Sequence, residues 1–388
     1  MAVFWAVCLL FVDLVAGLPL ALSATSSYLD STLDGYVGWP TYAELPLNSS
    51  YPTKAAWGVW GSDDELGALN HITKDTILAA SREIQLGRII PLNLRLDALD
   101  PPVNPDRKPL THLFQPGQGY TDDVLILNTQ ISTQYDGLRH FAYSTENDVA
   151  TYQWYNDLIK EYEEVIGPAR TETLGIHVAA EKGIGTRGVL LDWAGWMDAK
   201  NESFDAFTER KITVTELDEV AHWQGLSDDW SRPGDMLVVR TGWLMQYTKL
   251  GEADKALLPL SDGHTIGLEA SDATLQWLWE KKFSLVGADN PALESVGLIR
   301  QLICGVFAVL LLTTCDVQTP FDGMVNGEQR SLHEILIAGW GQSIVEFLEL
   351  ESLAVILRQS KRCTFFVTVQ NLNVYSGIAS PPNALAII

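Results

Sequence analysis

Short apolar runs that alternate with segments of helical periodicity are the feature of this chain that most constrains its fold. Residues 188–193, 234–243 and 285–289 are short, largely apolar and bounded by turn-forming residues, which is typical of buried strands. Residues 213–224 and 271–282 carry apolar side chains at helical spacing and begin at residues suited to cap a helix. Strands and helices that alternate in this way predict an α/β protein.

Weaker patterns extend the alternation toward the N-terminus. A helix is predicted to begin at Thr73 or Asp75 and to run through Ala80. The remaining predictions are a strand at 89–94, a proline-rich loop at 100–116, a buried strand at 124–127 and a helix at 152–165.

A stretch with polar residues at every second position follows the run 124–127. Its even positions are polar, whereas its odd positions from 127 to 135 are more apolar, so a strand here would place the polar groups on one face. The polar positions are Asn128, Gln130, Ser132, Gln134 and Asp136. Asp136 and Gly137 predict a turn, and His140 follows. A carboxylate and an imidazole at the end of a polar face predict a catalytic pair. The alternative is an ordinary half-solvated strand.

Composition excludes several classes of function. The chain has 388 residues and a formal net charge of −23, so it has no excess of basic residues to neutralise nucleic-acid phosphates. Its four cysteines, Cys8, Cys304, Cys315 and Cys363, show neither a disulfide framework nor zinc-finger spacing. We therefore expect no nucleic-acid partner, and nothing in the sequence indicates a membrane-spanning role.

The first 24 residues are apolar and are predicted to be a signal peptide, although Asp13 interrupts the run and no Lys or Arg precedes it. A secreted or endomembrane protein is expected if this signal operates, and a cytoplasmic one otherwise. Residues 25–388 are predicted to form a single domain. Residues 303–315 are mostly apolar and uncharged but too short for a transmembrane span.

Several blocks together resemble the metal-dependent cyclase family, which includes bacterial kynurenine formamidases and isatin hydrolase-like enzymes, and are most similar to its fungal branch. The resemblance implies a swivelling β/α/β fold around a barrel-like central sheet, in homo-oligomers. The blocks are 57–70, 87–94, 129–140, 183–193, 234–243, 286–294, 331–348 and 370–386. Residues 296–318 interrupt the pattern and are predicted to be an insertion or a retained intron.

The family signature, His-x-Gly-Thr-His-x-Asp-x-Pro-x-His, departs from this chain at both of its first histidines. The resemblance implies that Asp136 binds a divalent metal and that His140 is the acid–base catalyst. Gln130 and Gln134 occupy the positions of the two metal-binding histidines. Amide oxygens are weaker and harder ligands than imidazoles, which predicts lower zinc affinity or a preference for Mn or Mg.

Further site residues are predicted around this core. His264 matches another metal-binding histidine of the family, and Gln276 lies near the expected position of a glutamate ligand. Asp289 and Glu294 are alternative carboxylate donors, Arg139 is a candidate contact for an anionic substrate, and Gln134 and Trp60 are candidate substrate contacts. His177 and His333 are predicted to be structural.

The resemblance implies an arylformamidase-like hydrolase of a C–N or lactone bond in a small aromatic or cyclic substrate, with Zn or Mn as cofactor. N-formylkynurenine is the prototype substrate of the family. The first alternative is a metal-free cyclase, dehydratase or isomerase of fungal secondary metabolism, in which His140 and Asp136 act alone. The second alternative is a non-catalytic binding protein.

Overall fold

The computed structural model describes residues 38–144, 148–260, 263–297 and 323–388. The chain divides into two units, 1–40 and 41–388, and the description below concerns the second. The predicted signal peptide and almost all of the predicted insertion lie outside the described residues. The domain limits, the secretion and the homo-oligomer therefore stay predictions.

Nine α-helices lie in the described part of the second unit. They are α1 (Lys74–Ala80), α2 (Glu163–Ile166), α3 (Ile176–Lys182), α4 (Trp193–Ala199), α5 (Val214–Trp223), α6 (Trp243–Tyr247), α7 (Glu252–Leu257), α8 (Asp272–Lys281) and α9 (Glu351–Gln359). A π-helix spans Glu334–Gly339, and 3₁₀ turns span Tyr42–Glu44, Gly67–His71, Ser81–Glu83, Val149–Thr151, Tyr155–Asp157 and Leu258–Leu260.

Fifteen strands are described in this unit. They are β1 (Ile89–Pro91), β2 (Thr111–Pro116), β3 (Thr121–Ile126), β4 (Gln134–Asp136), β5 (Gly185–Leu191), β6 (Lys211–Ile212), β7 (Met236–Val239), β8 (Gly267–Leu268), β9 (Leu285–Ala288), β10 (Met324–Val325), β11 (Glu328–Gln329), β12 (Ile344–Glu346), β13 (Thr364–Gln370), β14 (Ala379–Ser380) and β15 (Asn383–Ile387).

A nine-stranded mixed sheet, curled into a half-barrel, organises this unit and confirms the predicted α/β class and barrel-like sheet. Its strand order is β1-β15-β13-β5-β7-β9-β12-β4-β14. The central strands β5, β7, β9 and β12 run parallel, and the flanking strands pair antiparallel. The parallel strands are buried on both faces, which explains the continuous apolar sequence of β7 and β9.

The predicted helix starts agree with the structure where a side chain caps the backbone. Thr73, Thr213 and Ser271 each accept a hydrogen bond from a backbone N–H in the first turn of α1, α5 and α8, as their residue types favour. No described helix is both long enough and apolar enough to cross a membrane.

Three local predictions are wrong. Residues 124–127 were expected to be buried, but β3 is largely exposed and, within the described part of the chain, pairs with β2 alone. Strand β2 occupies the last six residues of the predicted loop 100–116. The polar face from Asn128 was expected along one strand, but only Gln134–Asp136 is strand, and Gln130 through Arg139 are all buried. Residues 152–165 form a 3₁₀ turn and the start of a short helix rather than one helix.

A buried aspartate fixes the connection between β7 and α6. Asp289 Oδ1 accepts hydrogen bonds from the backbone N–H of Thr241 at 2.6 Å and from its hydroxyl at 2.8 Å. Asp289 Oδ2 accepts from Gly242 N at 3.0 Å and Leu244 N at 3.3 Å. Asp289 therefore caps the first turn of α6. These hydrogen bonds explain why a carboxylate is buried here without assigning it a role as a metal ligand.

Replacing Asp289 by Ala should lower the free energy of unfolding by about 3 kcal/mol, because several buried N–H groups lose their acceptor. Urea unfolding followed by circular dichroism measures the change. Asp254→Ala, which alters an exposed first-turn aspartate of α7, is the matched control and should change stability by less than about 0.5 kcal/mol. Equal effects of the two substitutions would contradict the capping role.

Candidate active site

Backbone pairing at one side of the sheet brings the site together. Strand β4 lies antiparallel to β12, with Asp136 opposite Ile344 and Gln134 opposite Glu346. His333 directly precedes the π-helix Glu334–Gly339, and helical segments of this type are frequent at functional sites. These elements place Asp136, His333 and Glu346 in one buried cluster.

The cluster is compact. His333 Nε2 lies 3.2 Å from Glu346 Oε1 and 3.7 Å from Asp136 Oδ2. Apart from this imidazole, no described residue donates a hydrogen bond to either of these two buried carboxylate oxygens. One ligand atom from each of the three residues lies within 4.8 Å of the other two. The three atoms therefore converge on a common space.

Glu294 contacts the edge of the His333 ring that faces away from Asp136 and Glu346. Its Oε1 atom lies 3.2 Å from His333 Nδ1, which directs the opposite ring nitrogen, Nε2, toward Asp136 and Glu346. A carboxylate that holds the outer nitrogen of an imidazole is the usual support of a metal-binding histidine. Glu294 therefore acts through His333, as a positioning residue.

The charges of the cluster perturb one another. Burial lowers the pKa of His333, but the carboxylates of Glu294, Asp136 and Glu346 outweigh it and raise that pKa well above its usual value. Burial and the charge of Asp136 raise the pKa of Glu346 to about 7. Burial would raise the pKa of Asp136 too, but the imidazoles of His140 and His333 hold it below its usual value. The site thus favours an additional positive charge.

His140 forms the solvent side of the cluster. Its Nε2 atom lies 3.8 Å from Asp136 Oδ2, and its side chain is 22% exposed whereas Asp136 is fully buried. The turn that carries it is closed by a hydrogen bond from His140 N to Gly137 O at 2.9 Å. Phe141 packs beside both imidazoles, with ring centroids 6.0 Å from His140 and 5.2 Å from His333. His140 is therefore the group of this pair that a substrate can reach.

Arg107 clamps both glutamines that stand at the family's histidine positions. Arg107 Nη1 donates to Gln134 Oε1 at 2.9 Å and to the backbone oxygen of Gln130 at 2.7 Å, and Arg107 Nη2 donates to Gln130 Oε1 at 2.9 Å. The amide nitrogens point the other way: Gln130 Nε2 donates to Asp136 Oδ1 at 2.5 Å, and Gln134 Nε2 donates to Glu346 Oε2. Both amides thus connect the guanidinium to the buried carboxylates.

This arrangement does not favour the predicted metal-ligand role of Gln130 and Gln134, which stays a prediction. A metal needs the amide oxygens, but Arg107 holds both of them. Turning either amide around would set its N–H₂ group against the guanidinium donors and its oxygen against a carboxylate, which is unfavourable on both sides. The donors that suit a divalent cation are instead Asp136 Oδ2, Glu346 Oε1 and His333 Nε2.

The structure places the other predicted site residues elsewhere. Arg139 is buried and donates to the backbone oxygens of Thr171, at 2.9 Å, and Glu164, so its guanidinium braces the chain instead of contacting substrate. Trp60 packs edge-on against His71 with ring centroids 4.8 Å apart. Gln276 lies on the exposed face of α8 and donates to Glu280.

His264 stands beside the Thr265–Val296 bridge and is not a member of the Asp136–His333–Glu346 cluster. His177, predicted to be structural, packs against Tyr375 with ring centroids 4.7 Å apart.

Sequence reasoning missed three central residues: His333, Glu346 and Arg107. Glu346 lies in the apolar run Ile344-Val345-Glu346-Phe347-Leu348, where a lone carboxylate is a signal of a buried functional group. His333 was expected to be structural, although it restarts the family pattern. Arg107 stands in an irregular segment, and no periodicity marks it.

Comparisons with known proteins identify a matching family model and similar solved structures. The family model described as putative cyclase matches residues 63–295, which is more than half of the chain. A crystal structure of a novel cyclase is similar with a TM-score of 0.68 and 27% sequence identity, over 86% of this chain and 99% of that one.

Isatin hydrolase A from Labrenzia aggregata, bound to benzyl benzoate, aligns with a TM-score of 0.48 and 15% identity over 80% of this chain and 95% of its own. Isatin hydrolase A from Ralstonia solanacearum aligns with a TM-score of 0.44 and 15% identity over 77% and 91%. The comparison with curated proteins gives no match.

Replacing Arg107 by Met should leave both amide oxygens without their donor and lower the free energy of unfolding by about 2–3 kcal/mol. Urea unfolding measures the loss. Arg95→Met removes an exposed guanidinium (81% exposed) from the same irregular segment and should cost less than about 0.5 kcal/mol. If the Arg107→Met protein is as stable as the Arg95→Met protein, the Arg107 hydrogen bonds to Gln130 and Gln134 do not stabilise the fold as described.

Proposed function

The chain belongs to the putative cyclase family, and on this premise we propose that it is a hydrolase that holds a divalent cation with Asp136, His333 and Glu346. The observation that carries the proposal is the convergence of two buried carboxylate oxygens on one imidazole nitrogen, with no other hydrogen-bond donor among the described residues. The substrate class is a small molecule with a C–N or lactone bond, and an arylformamidase-like substrate is the first to test.

Charge balance supports a cation at this place. Asp136, Glu294 and Glu346 bring three buried carboxylates together. Among the described residues around them, Arg107 and a protonated His333 offset two of these three negative charges. Uncompensated buried charge is costly. A divalent cation beside a neutral His333 would bring the set to neutrality, because two positive charges and that of Arg107 offset three negative ones.

The three proposed ligands also suit the binding of Zn²⁺ or Mn²⁺. Two carboxylates and one imidazole are ligands that Zn²⁺ and Mn²⁺ both accept. Such a cation, when bound, polarises a carbonyl group and lowers the pKa of bound water.

His140 supplies proton transfer in this proposal. Its partly exposed imidazole can accept a proton from an attacking water and return it to the leaving nitrogen or oxygen. Asp136 lies behind His140 at 3.8 Å and stabilises the protonated imidazole during this exchange. Phe141, which packs beside both imidazoles, offers an apolar surface to an aromatic or cyclic substrate.

The cation site predicts one equivalent of Mn²⁺ or Zn²⁺ per chain in isothermal titration of metal-stripped protein. Glu346→Gln should weaken this binding by at least about tenfold, because an ionised ligand becomes a neutral amide. Glu349→Gln, outside the cluster, is the control and should bind as the wild type does. Equal affinity of the Glu346→Gln and Glu349→Gln proteins would exclude this cation site.

His140→Ala should reduce kcat about 10²- to 10⁴-fold in hydrolysis of an N-formyl aromatic amine or an aryl lactam, while cation binding stays intact. The measurement pairs turnover with titration of Mn²⁺. A variant that retains full turnover would contradict the acid–base role. Loss of the cation together with turnover would assign His140 to the cation site instead.

Arg107 favours a second candidate function, a metal-free acid–base enzyme. Its guanidinium already supplies a fixed positive charge behind both amides, and His140 with Asp136 would then catalyse cyclisation, dehydration or isomerisation. Dialysis against a strong chelator distinguishes the two functions. Turnover that survives complete metal removal favours the metal-free enzyme, whereas turnover that is lost and returns with Mn²⁺ or Zn²⁺ favours the hydrolase.

A further inference from the structure

A cavity of ≈ 290 Å³ lies where α5 and α9 end, beside the last residues of β5. None of its lining residues belongs to the Asp136–His333–Glu346 cluster. Pockets that take small organic ligands begin at about 300 Å³, so the cavity is large enough for a compact molecule.

Positive charge converges on this cavity. Arg358, Lys361 and Arg362 line it, although the chain as a whole has a net charge of −23. The acidic residue in the lining, Asp192, is already paired: its Oδ1 atom accepts from Arg240 Nη1 at 2.7 Å and its Oδ2 atom from Arg358 Nη2 at 2.8 Å. Arg358 is thus paired with Asp192, and Arg362 is paired with Glu83. Lys361 is the lining cation that no ion pair among the described residues neutralises, and it can attract an anion.

Arg362 carries an unused donor at the cavity. Its Nη2 atom donates to Glu83 Oε2 at 2.7 Å. Its Nη1 atom is buried and has no hydrogen-bond partner among the described residues. A guanidinium presents its donors in a planar fork that matches carboxylate, sulfonate and phosphate oxygens. Because Nη1 itself is buried, an anion in the cavity meets Arg362 through the exposed 15% of its side chain and through its charge.

The remaining wall is apolar and aromatic. Leu190, Ala354 and Leu357 line it, and Trp223, which ends α5, exposes 41% of its surface. Gln224 contributes no free polar group, because its amide binds the backbone of Leu190 and Asp192. A ligand that fits both parts has an apolar body and an acidic head.

We infer that this cavity is a binding site for a small aromatic or aliphatic anion, separate from the proposed active site. The acidic group binds Lys361 together with Arg358 and Arg362. The apolar body packs on Trp223, because Leu190, Ala354 and Leu357 expose at most 3% of their surface. Because no lining residue is shared with the cluster, this site does not depend on the proposed hydrolase function.

Isothermal titration of the full chain with 2-naphthoate tests the site, with 2-naphthalenemethanol as a neutral analogue of the same shape and inorganic phosphate as an anion without an apolar body. One equivalent of 2-naphthoate should bind at least about tenfold more tightly than either comparison probe, since both halves of the site contribute. Equal binding of the alcohol would refute the anion site, and equal binding of phosphate would refute the apolar half.

Lys361→Gln, at an exposed position, should weaken 2-naphthoate binding several-fold, and the double variant Arg358→Gln/Lys361→Gln by at least about tenfold. Lys249→Gln, another exposed lysine, is the charge-matched control and should bind as the wild type does. Naphthoate that binds all variants equally would place its site elsewhere. No binding of any probe would mean that these cations serve only the carbonyl ends of the two helices.

Discussion

The buried carboxylates around His333 are the interaction on which the rest of this site depends. Asp136, Glu294 and Glu346 are all removed from water, and such groups are tolerated only where positive charge or donors compensate them. Each of the three carboxylates has a different hydrogen-bond donor. Glu294 binds the outer nitrogen of His333, whereas Asp136 and Glu346 each receive one amide and direct a second oxygen inward.

The sheet provides the geometry for this concentration of charge. Pairing of β4 with β12 fixes Gln134 opposite Glu346, so one arm of the Arg107 clamp is set by strand register. A shift of one residue would turn Asp136 and Glu346 to opposite faces. The pairing of β4 with β12 therefore determines where the negative charge of the site lies, because it brings the carboxylates of Asp136 and Glu346 close to His333.

The sequence predicted the parts of this protein that follow from local patterns. Apolar strands, helix caps at Thr73, Thr213 and Ser271, and the Asp136–His140 pair all depend on neighbouring residues or on fixed spacing. The α/β class follows from them, whereas the family was identified from the resemblance of several short blocks. Residues 124–127 were misjudged because an apolar run does not reveal whether other strands will cover it, and among the described strands β3 pairs with β2 alone.

The composition of the site could not be predicted in the same way, because it depends on contacts between distant segments. His333 and Glu346 lie about 200 residues from Asp136, and Arg107 reaches the glutamines from an irregular segment. Gln130 and Gln134 suggested weakened metal ligands when considered alone. Their neighbours show that each amide instead joins a guanidinium to a carboxylate.

A crystal structure of the protein soaked in Mn²⁺, with anomalous scattering recorded to locate the ion, tests the proposed site most directly. The account predicts an anomalous peak among Asp136 Oδ2, His333 Nε2 and Glu346 Oε1, with both glutamine amides still bonded to Arg107. A peak bound by the oxygens of Gln130 and Gln134, or no peak in that cluster at saturating Mn²⁺, would contradict it.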